Sequence, residues 1–167
     1  EAVLEELGVS ARGFYVPRPD GGVQVYAPMG AAGSRAPPLN APVEGLVTKV
    51  DGSQFLVIFP PASLLTTNKD PGDGNAADLE GEISEALVEE AGLADSVKAT
   101  EDGQNVAVEI SSPKSGAGAG RVKAVMGSLE AGIAAAVVAR ARGRAVTVSS
   151  EEDSPSGRKR KVTLTLH

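Results

Sequence analysis

The chain has 167 residues, a net charge of −6, 41% hydrophobic but only 3% aromatic residues, no Cys, and a single His, His167. That inventory excludes disulfides, thiolate metal sites, Cys nucleophiles and His-based triads, and the scarcity of aromatics argues against a site that stacks bases or sugars. Enough Val, Leu, Ile and Ala remain to build the core of one ordinary domain, or of two small ones packed together.

EAVLEELGV (1–9) opens the chain already inside a helical pattern and without Met, so the chain is expected to be a piece of a longer protein. Gly8 followed by Val9 has the form of a Schellman stop. Two strands follow, near 13–17 and 22–27, turning at Asp20-Gly21. MGAAGSRAPPLNAP (29–42) is irregular by composition. A second hairpin, 43–50 with 54–59, turns at Asp51-Gly52, and QFLVIF is apolar enough to be covered on both faces. TTNKDPGDGN (66–75) is a polar loop.

The next helix has Asn75 as its cap and Asp78 in its first turn. Leu79, Ile83, Ala86 and Leu87 share one face, and Gly92-Leu93 repeats the Schellman stop. A third hairpin, 96–101 with 105–110, turns at Asp102-Gly103. SSPKSGAGAG (111–120) leads into a continuous helix from about Arg121 to Arg142 that stops at Gly143. Its core stripe is Val122, Val125, Met126, Leu129, Ile133, Ala136, Val137 and Arg140. The most apolar run, 129–139, falls short of the ~18 residues of a membrane helix and reads as buried. The last hairpin pairs 145–150 with 160–166, where Val162, Leu164 and Leu166 alternate with Thr163 and Thr165.

Three helices match in pattern. EAVLEELGV aligns with EALVEEAGL (85–93), and LEGEISEALV (79–88) with LEAGIAAAVV (129–138). The predicted fold is therefore α+β, with repeated α-β-β units whose antiparallel hairpins pack with about three helices. A boundary near 66–75 separates an N-terminal helix and hairpin-rich part (1–65) from a C-terminal α-ββ-α-ββ part (75–167). The two are expected to share or abut one core.

Charge is unevenly spread. Residues 1–111 hold 6 Lys+Arg and 18 Asp+Glu, whereas residues 112–167 hold 10 and 4. In the basic third, Gly116, Gly118, Gly120 and Arg121 precede a helix and form a candidate anion cradle, although neither phosphate-loop pattern is present. Arg140, Arg142 and Arg144 end that helix. Arg158, Lys159, Arg160 and Lys161 open the last strand, and the two groups make a basic patch if they meet in space. The competing reading is a charged edge strand and helix-end cations serving the dipole.

Gly127, Ala131, Ala135 and Ala139 recur at every fourth position. They give a smooth face for tight packing inside the domain, or for a helix contact with a second copy in a homo-oligomer. Glu80 and Glu130 occupy matched positions and form a carboxylate pair if they converge; first-turn or surface positions are the plainer reading. No catalytic residue, cofactor or metal is assigned. Nucleic acid is disfavoured as a partner by the acidic balance and the lack of interleaved aromatics.

EAVLEELGV, FYVP, VYAPM, QFLVIFPPASLL and VMGSLEAGIAAAVVARARGRAVTV follow in an order that resembles an uncharacterised archaeal family. Its members carry N-terminal membrane helices followed by a soluble domain. The resemblance spans nearly the whole chain and implies a soluble domain tethered to a membrane by segments absent here, with no activity attached. Where that family often has His-Pro or Cys before the small-residue helix, this chain has GRVKAVMGS, so no metal or redox role carries over. The function expected from the sequence is a non-enzymatic interaction or sensory domain. The alternative is a binder of small anions or nucleic acid through the basic third.

Overall fold

Hydrophobic alternation sets the architecture. The structure is a computed structural model that describes residues 2–9, 11–30, 35–60, 78–116 and 118–167. Four hairpins form: β1 (Phe14–Pro17) with β2 (Val23–Pro28), β3 (Val47–Val50) with β4 (Ser53–Ile58), β5 (Ser96–Asp102) with β6 (Asn105–Ser111), and β7 (Val146–Asp153) with β8 (Lys159–Leu166). They join in one antiparallel sheet of order β3-β4-β2-β1-β7-β8-β6-β5. The order of the last four strands is the order of the first four with each number raised by four. The two sets meet where Tyr15 of β1 pairs with Val146 of β7.

The three Asp-Gly pairs make three different turns. Asp51 and Gly52 both take positive φ, 48° and 84°, as a tight two-residue hairpin requires. Asp102 instead ends its strand opposite Asn105, leaving Gly103 as the first turn residue. Asp20 accepts the Gly22 amide on its carboxylate (2.9 Å) inside a wider loop.

Helices cover one face of the sheet. Helix α1 (Ala2–Glu6) ends as expected: Gly8 has φ 66° and the Val9 amide reaches back to the Leu4 carbonyl. Asn75 lies outside the described residues; Asp78 is the N-cap of α2 (Leu79–Ser84), accepting the Gly81 amide (2.8 Å). The helix continues through Glu85–Glu90 as a π-helical turn, in which the Ala91 amide reaches five residues back to Ala86. It closes at Gly92, φ 62°.

The third predicted helix is not continuous. It divides into α3 (Gly120–Met126) and α4 (Leu129–Arg142), because Gly127 takes φ 79° and Ser128 caps α4 by accepting the Ala131 amide. The break turns Val122 and Leu129, predicted as core, out to 44% and 42% exposure. Every residue of α4 from Glu130 to Ala141 is buried. A helix apolar all round belongs in a core or a membrane. The stretch Gly120–Arg142 has the length and hydropathy of a span, yet 67% of its most apolar window is buried within the domain.

The main core joins both halves of the sheet. Tyr15, Val23 and Val25 pack with Ile83, Leu87, Val106, Ile110, Val137 and Leu164. On the opposite face, Phe14, Val16, Tyr26, Phe55 and Val57 are covered by Ala36, Ala41 and Val43. Arg18 fixes that covering segment by donating to the Ala41 carbonyl (2.9 Å). The predicted alternation in β8 holds, with Val162, Leu164 and Leu166 buried and the threonines between them half-buried.

Candidate functional site

The same alternation that buries Val162 places Arg160 on the core face of β8, where it is 1% exposed. A buried cation needs partners, and three carboxylates on two elements, β7 and α4, supply them. Asp153 lies opposite in β7 and takes a forked pair of bonds, from Nε at 2.6 Å and Nη2 at 3.1 Å. Glu130, in the first turn of α4 and fully buried, accepts from Nη1 at 2.9 Å. It also accepts the amide (2.8 Å) and the hydroxyl of Ser115, pinning the segment that leads to α3. Glu151 places Oε1 3.4 Å from Arg160 Nε and 4.0 Å from Lys123 Nζ, while its Oε2 accepts the Ser128 amide (2.9 Å). The hydrogen bond from Arg160 holds the Asp153 carboxyl below the usual carboxylate range and pushes the guanidinium further up. The centre is a closed ionic knot whose cation already faces three carboxylates.

Next to it, the α3–α4 break opens an apolar groove of about 370 Å3. Tyr15, Gly132 and Ile133 line it together with Met126 and Leu129, and Ile58, Phe59 and Pro60 approach from the end of β4. Phe59 (66%), Val122 (44%) and Leu129 (42%) leave large apolar surfaces exposed around it. The polar groups of the groove are committed to backbone. The Tyr15 hydroxyl donates to the Met126 carbonyl at 2.8 Å, satisfying an acceptor that the end of α3 would otherwise leave open. Ser128 Oγ caps α4. Burial raises the Tyr15 hydroxyl pKa, with the charge of Glu151 adding to it, so this phenol is a hydrogen-bond donor and not a base.

A family model described as a domain of unknown function, DUF7982, matches residues 1–165. The chain belongs to this family. Comparison with curated proteins and with solved structures finds no match. The family description assigns no activity, so the chemistry of this DUF7982 domain is read from its geometry.

The basic residues singled out in the sequence fall into separate places in the DUF7982 domain. Arg160 sits at the N-terminal end of α4, beside Glu130. Arg140, Arg142 and Arg144 sit at the other end of a 14-residue helix, about 20 Å away. Arg140 is 5% exposed with Nη2 3.1 Å from Glu82, and Arg142 grips Glu101 through two bonds of 2.8 and 2.7 Å. Arg144 donates to the His167 carbonyl (3.1 Å), and Lys159 reaches Glu109 (2.8 Å). Arg158 and Lys161 are exposed on the surface. Gly116, Gly118 and Gly120 are exposed, and Gly118 and Gly120 take positive φ. Arg121 turns back to the Val9 carbonyl (3.5 Å) and to Glu5 (3.7 Å).

The remaining candidates are also kept apart. Glu80 accepts the Ala99 amide (2.9 Å) at the sheet edge, whereas Glu130 lies in the ionic knot. Ala131, Ala135 and Ala139 have no exposed surface, so the smooth stripe is closed within the domain. Gly127 lies in the break. Among the described residues, no cluster of His, Asp and Glu has the makings of a metal site. Sequence reading missed the groove because Val122 and Leu129 fit a continuous stripe. The available signal was Gly127-Ser128, a positive-φ residue followed by an N-cap residue inside a helical pattern.

Proposed function

We propose that this is a non-enzymatic interaction domain whose working surface is the apolar groove at the α3–α4 break. It takes an apolar side-chain cluster from a protein partner. The observation that carries this reading is the concentration of Phe59, Val122 and Leu129 around a groove whose polar groups are already bonded to backbone. Exposed apolar surface gathered at a concave site is a common mark of recognition. The wall of the groove is held by named bonds, Tyr15 to Met126 and Glu151 to Ser128, so the site is preorganised.

Binding of small anions or nucleic acid has less support, because the guanidinium groups of Arg142 and Arg160 already face carboxylates. Tethering of the domain to a membrane through other segments of its protein belongs to this proposal on the strength of the sequence resemblance. A self-associating or sensory role stays within the same proposal.

Selection of displayed peptides on the purified chain tests the groove. The expected result is enrichment of peptides with apolar anchors, with binding weakened at least tenfold by Leu129→Asp while thermal unfolding is unchanged. Selection of no such peptides, or equal binding by the Leu129→Asp variant, rejects the groove as the working surface.

A further inference from the structure

Glu151 has one oxygen bonded and the other not. Its side chain is 6% exposed. Oε2 accepts the Ser128 amide, whereas Oε1 is buried and receives no hydrogen bond. Arg160 Nε lies 3.4 Å from Oε1, but it gives its one hydrogen to Asp153 at 2.6 Å. Lys123 Nζ stands at 4.0 Å, beyond bonding reach. Buried polar atoms are nearly always bonded, so this oxygen calls for a donor that the described residues do not supply.

The same side chain lines a cavity of about 460 Å3, together with Arg12, Lys123 and Ser150. No residue lines both this cavity and the apolar groove. Arg12 is exposed and makes no hydrogen bond or ion pair among the described residues. Lys123 has only its long approach to Glu151. Ser150 adds an exposed hydroxyl. Two cations without a bonded carboxylate favour an anion. The Glu151 carboxylate between them repels one, unless the anion itself carries a proton to donate. Phosphate carries such a proton near neutral pH; sulfate, fully ionised there, does not.

We propose that this cavity binds a protonated phosphate group, free or at the end of a phosphomonoester. Arg12 and Lys123 take its anionic oxygens, and its P–OH donates to Glu151 Oε1. The Lys123 side chain is 31% exposed, so it is able to turn from Oε1 towards the anion and open the way to that oxygen. Glu151 is the selective element. A site built around one hydrogen bond rejects a ligand that cannot make it, because the buried partner is then left unpaired. Arg160 stays with its carboxylates and takes no part. The cavity is separate from the apolar groove, and its test uses no peptide, so either proposal stands if the other fails.

Isothermal titration of the full chain with inorganic phosphate, methyl phosphate and sulfate tests the site. Phosphate is expected to bind tighter than sulfate by about tenfold or more, the scale of one hydrogen bond to a charged group. Methyl phosphate binding as well as phosphate supports the site with a phosphomonoester as its ligand; phosphate binding alone supports it with the free ion. Arg12→Gln is expected to weaken phosphate by about tenfold or more, because it removes a charge-assisted contact. Glu151→Gln offers an amide that donates as well as accepts, so its preference for phosphate over sulfate should disappear. If that variant does not fold, the phosphate-to-sulfate ratio of the unaltered chain and the Arg12→Gln titration decide the matter. No binding of phosphate at millimolar concentration, equal binding of phosphate and sulfate by the unaltered chain, or phosphate binding unchanged by Arg12→Gln overturns the proposal.

Discussion

Arg160 and Glu130 meet 2.9 Å apart with 2% and 0% of their side chains exposed, joining the start of β8 to the first turn of α4. Neither charge has water as an alternative partner. Removing one member of such a pair typically costs about 3–5 kcal/mol, because the other is left buried and uncompensated. Arg160→Ala is therefore expected to lose stability on that scale, since it also strips Asp153 of both its bonds. In the N-terminal half, the residue paired with Ala27 is Leu56, as Arg160 is paired with Ile110 in the C-terminal half. The matching ladder position there holds an apolar side chain. The double variant Arg160→Leu with Glu130→Leu is expected to lose less than the sum of the two single changes. Urea unfolding of the three variants measures the coupling, and strict additivity contradicts it.

Acid should weaken the fold through the same arginines. The carboxyls of Asp153 and Glu101 are held below their ordinary range, chiefly by hydrogen bonds from Arg160 and Arg142. A carboxylate whose folded pKa is depressed contributes stability that is present above its unfolded pKa, about 4. That contribution is lost as pH falls through the folded value. Stability is therefore expected to fall below about pH 4. Arg142→Gln removes the Glu101 share of that fall. Thermal melts at pH 6 and pH 3 read it directly: the drop should be smaller in Arg142→Gln than in the unaltered chain, and an equal drop rules out the linkage.

Tyr15 and Gly132 make a steric pair. A Cβ on Gly132 would lie 2.8 Å from the Tyr15 hydroxyl oxygen, which is fixed by its bond to Met126. Gly132→Ala should cost about 1–3 kcal/mol by overpacking. Tyr15→Phe alone should cost about 1–2 kcal/mol by orphaning the Met126 carbonyl. In the Tyr15→Phe background the obstruction is gone, and alanine in a helix is favoured over glycine by up to about 1 kcal/mol. The effect of Gly132→Ala is therefore expected to change from destabilising to neutral or stabilising. Denaturant midpoints of the four proteins decide it. The same sign in both backgrounds would place the strain elsewhere.

The four hairpins and the helix stops were legible because each has a local cause. Alternation of two residues sets the strands, and Gly8, Gly92 and Gly143 take the positive φ that ends a helix. The break at Gly127 was not legible from periodicity alone, because the apolar positions on either side of it also satisfy one unbroken stripe. Arg160 shows the other limit. Its parity with Val162 and Leu164 put it on the core face, but its place in a run of four cations argued for the surface. The decision rested on Glu130, Glu151 and Asp153, which reach it only through the tertiary fold. The ends of the sheet are likewise a matter of topology, so the role of Glu80 at the Ala99 amide had no signature in its own helix.

Ala135 distinguishes the two uses of the small-residue stripe. It has no exposed surface and lies in the core shared with Val137, Val146 and Leu164. Close packing of α4 against β1 and β7 leaves no room there for a longer side chain. Ala135→Leu is expected to destabilise the monomer by about 1–3 kcal/mol through overpacking. Its unfolding midpoint should fall by the same amount at high and low protein concentration. If the stripe instead served a contact with a second copy, the loss would grow with concentration, as mass action requires for any interface that stabilises the folded state. Urea melts at two concentrations a hundredfold apart separate these outcomes.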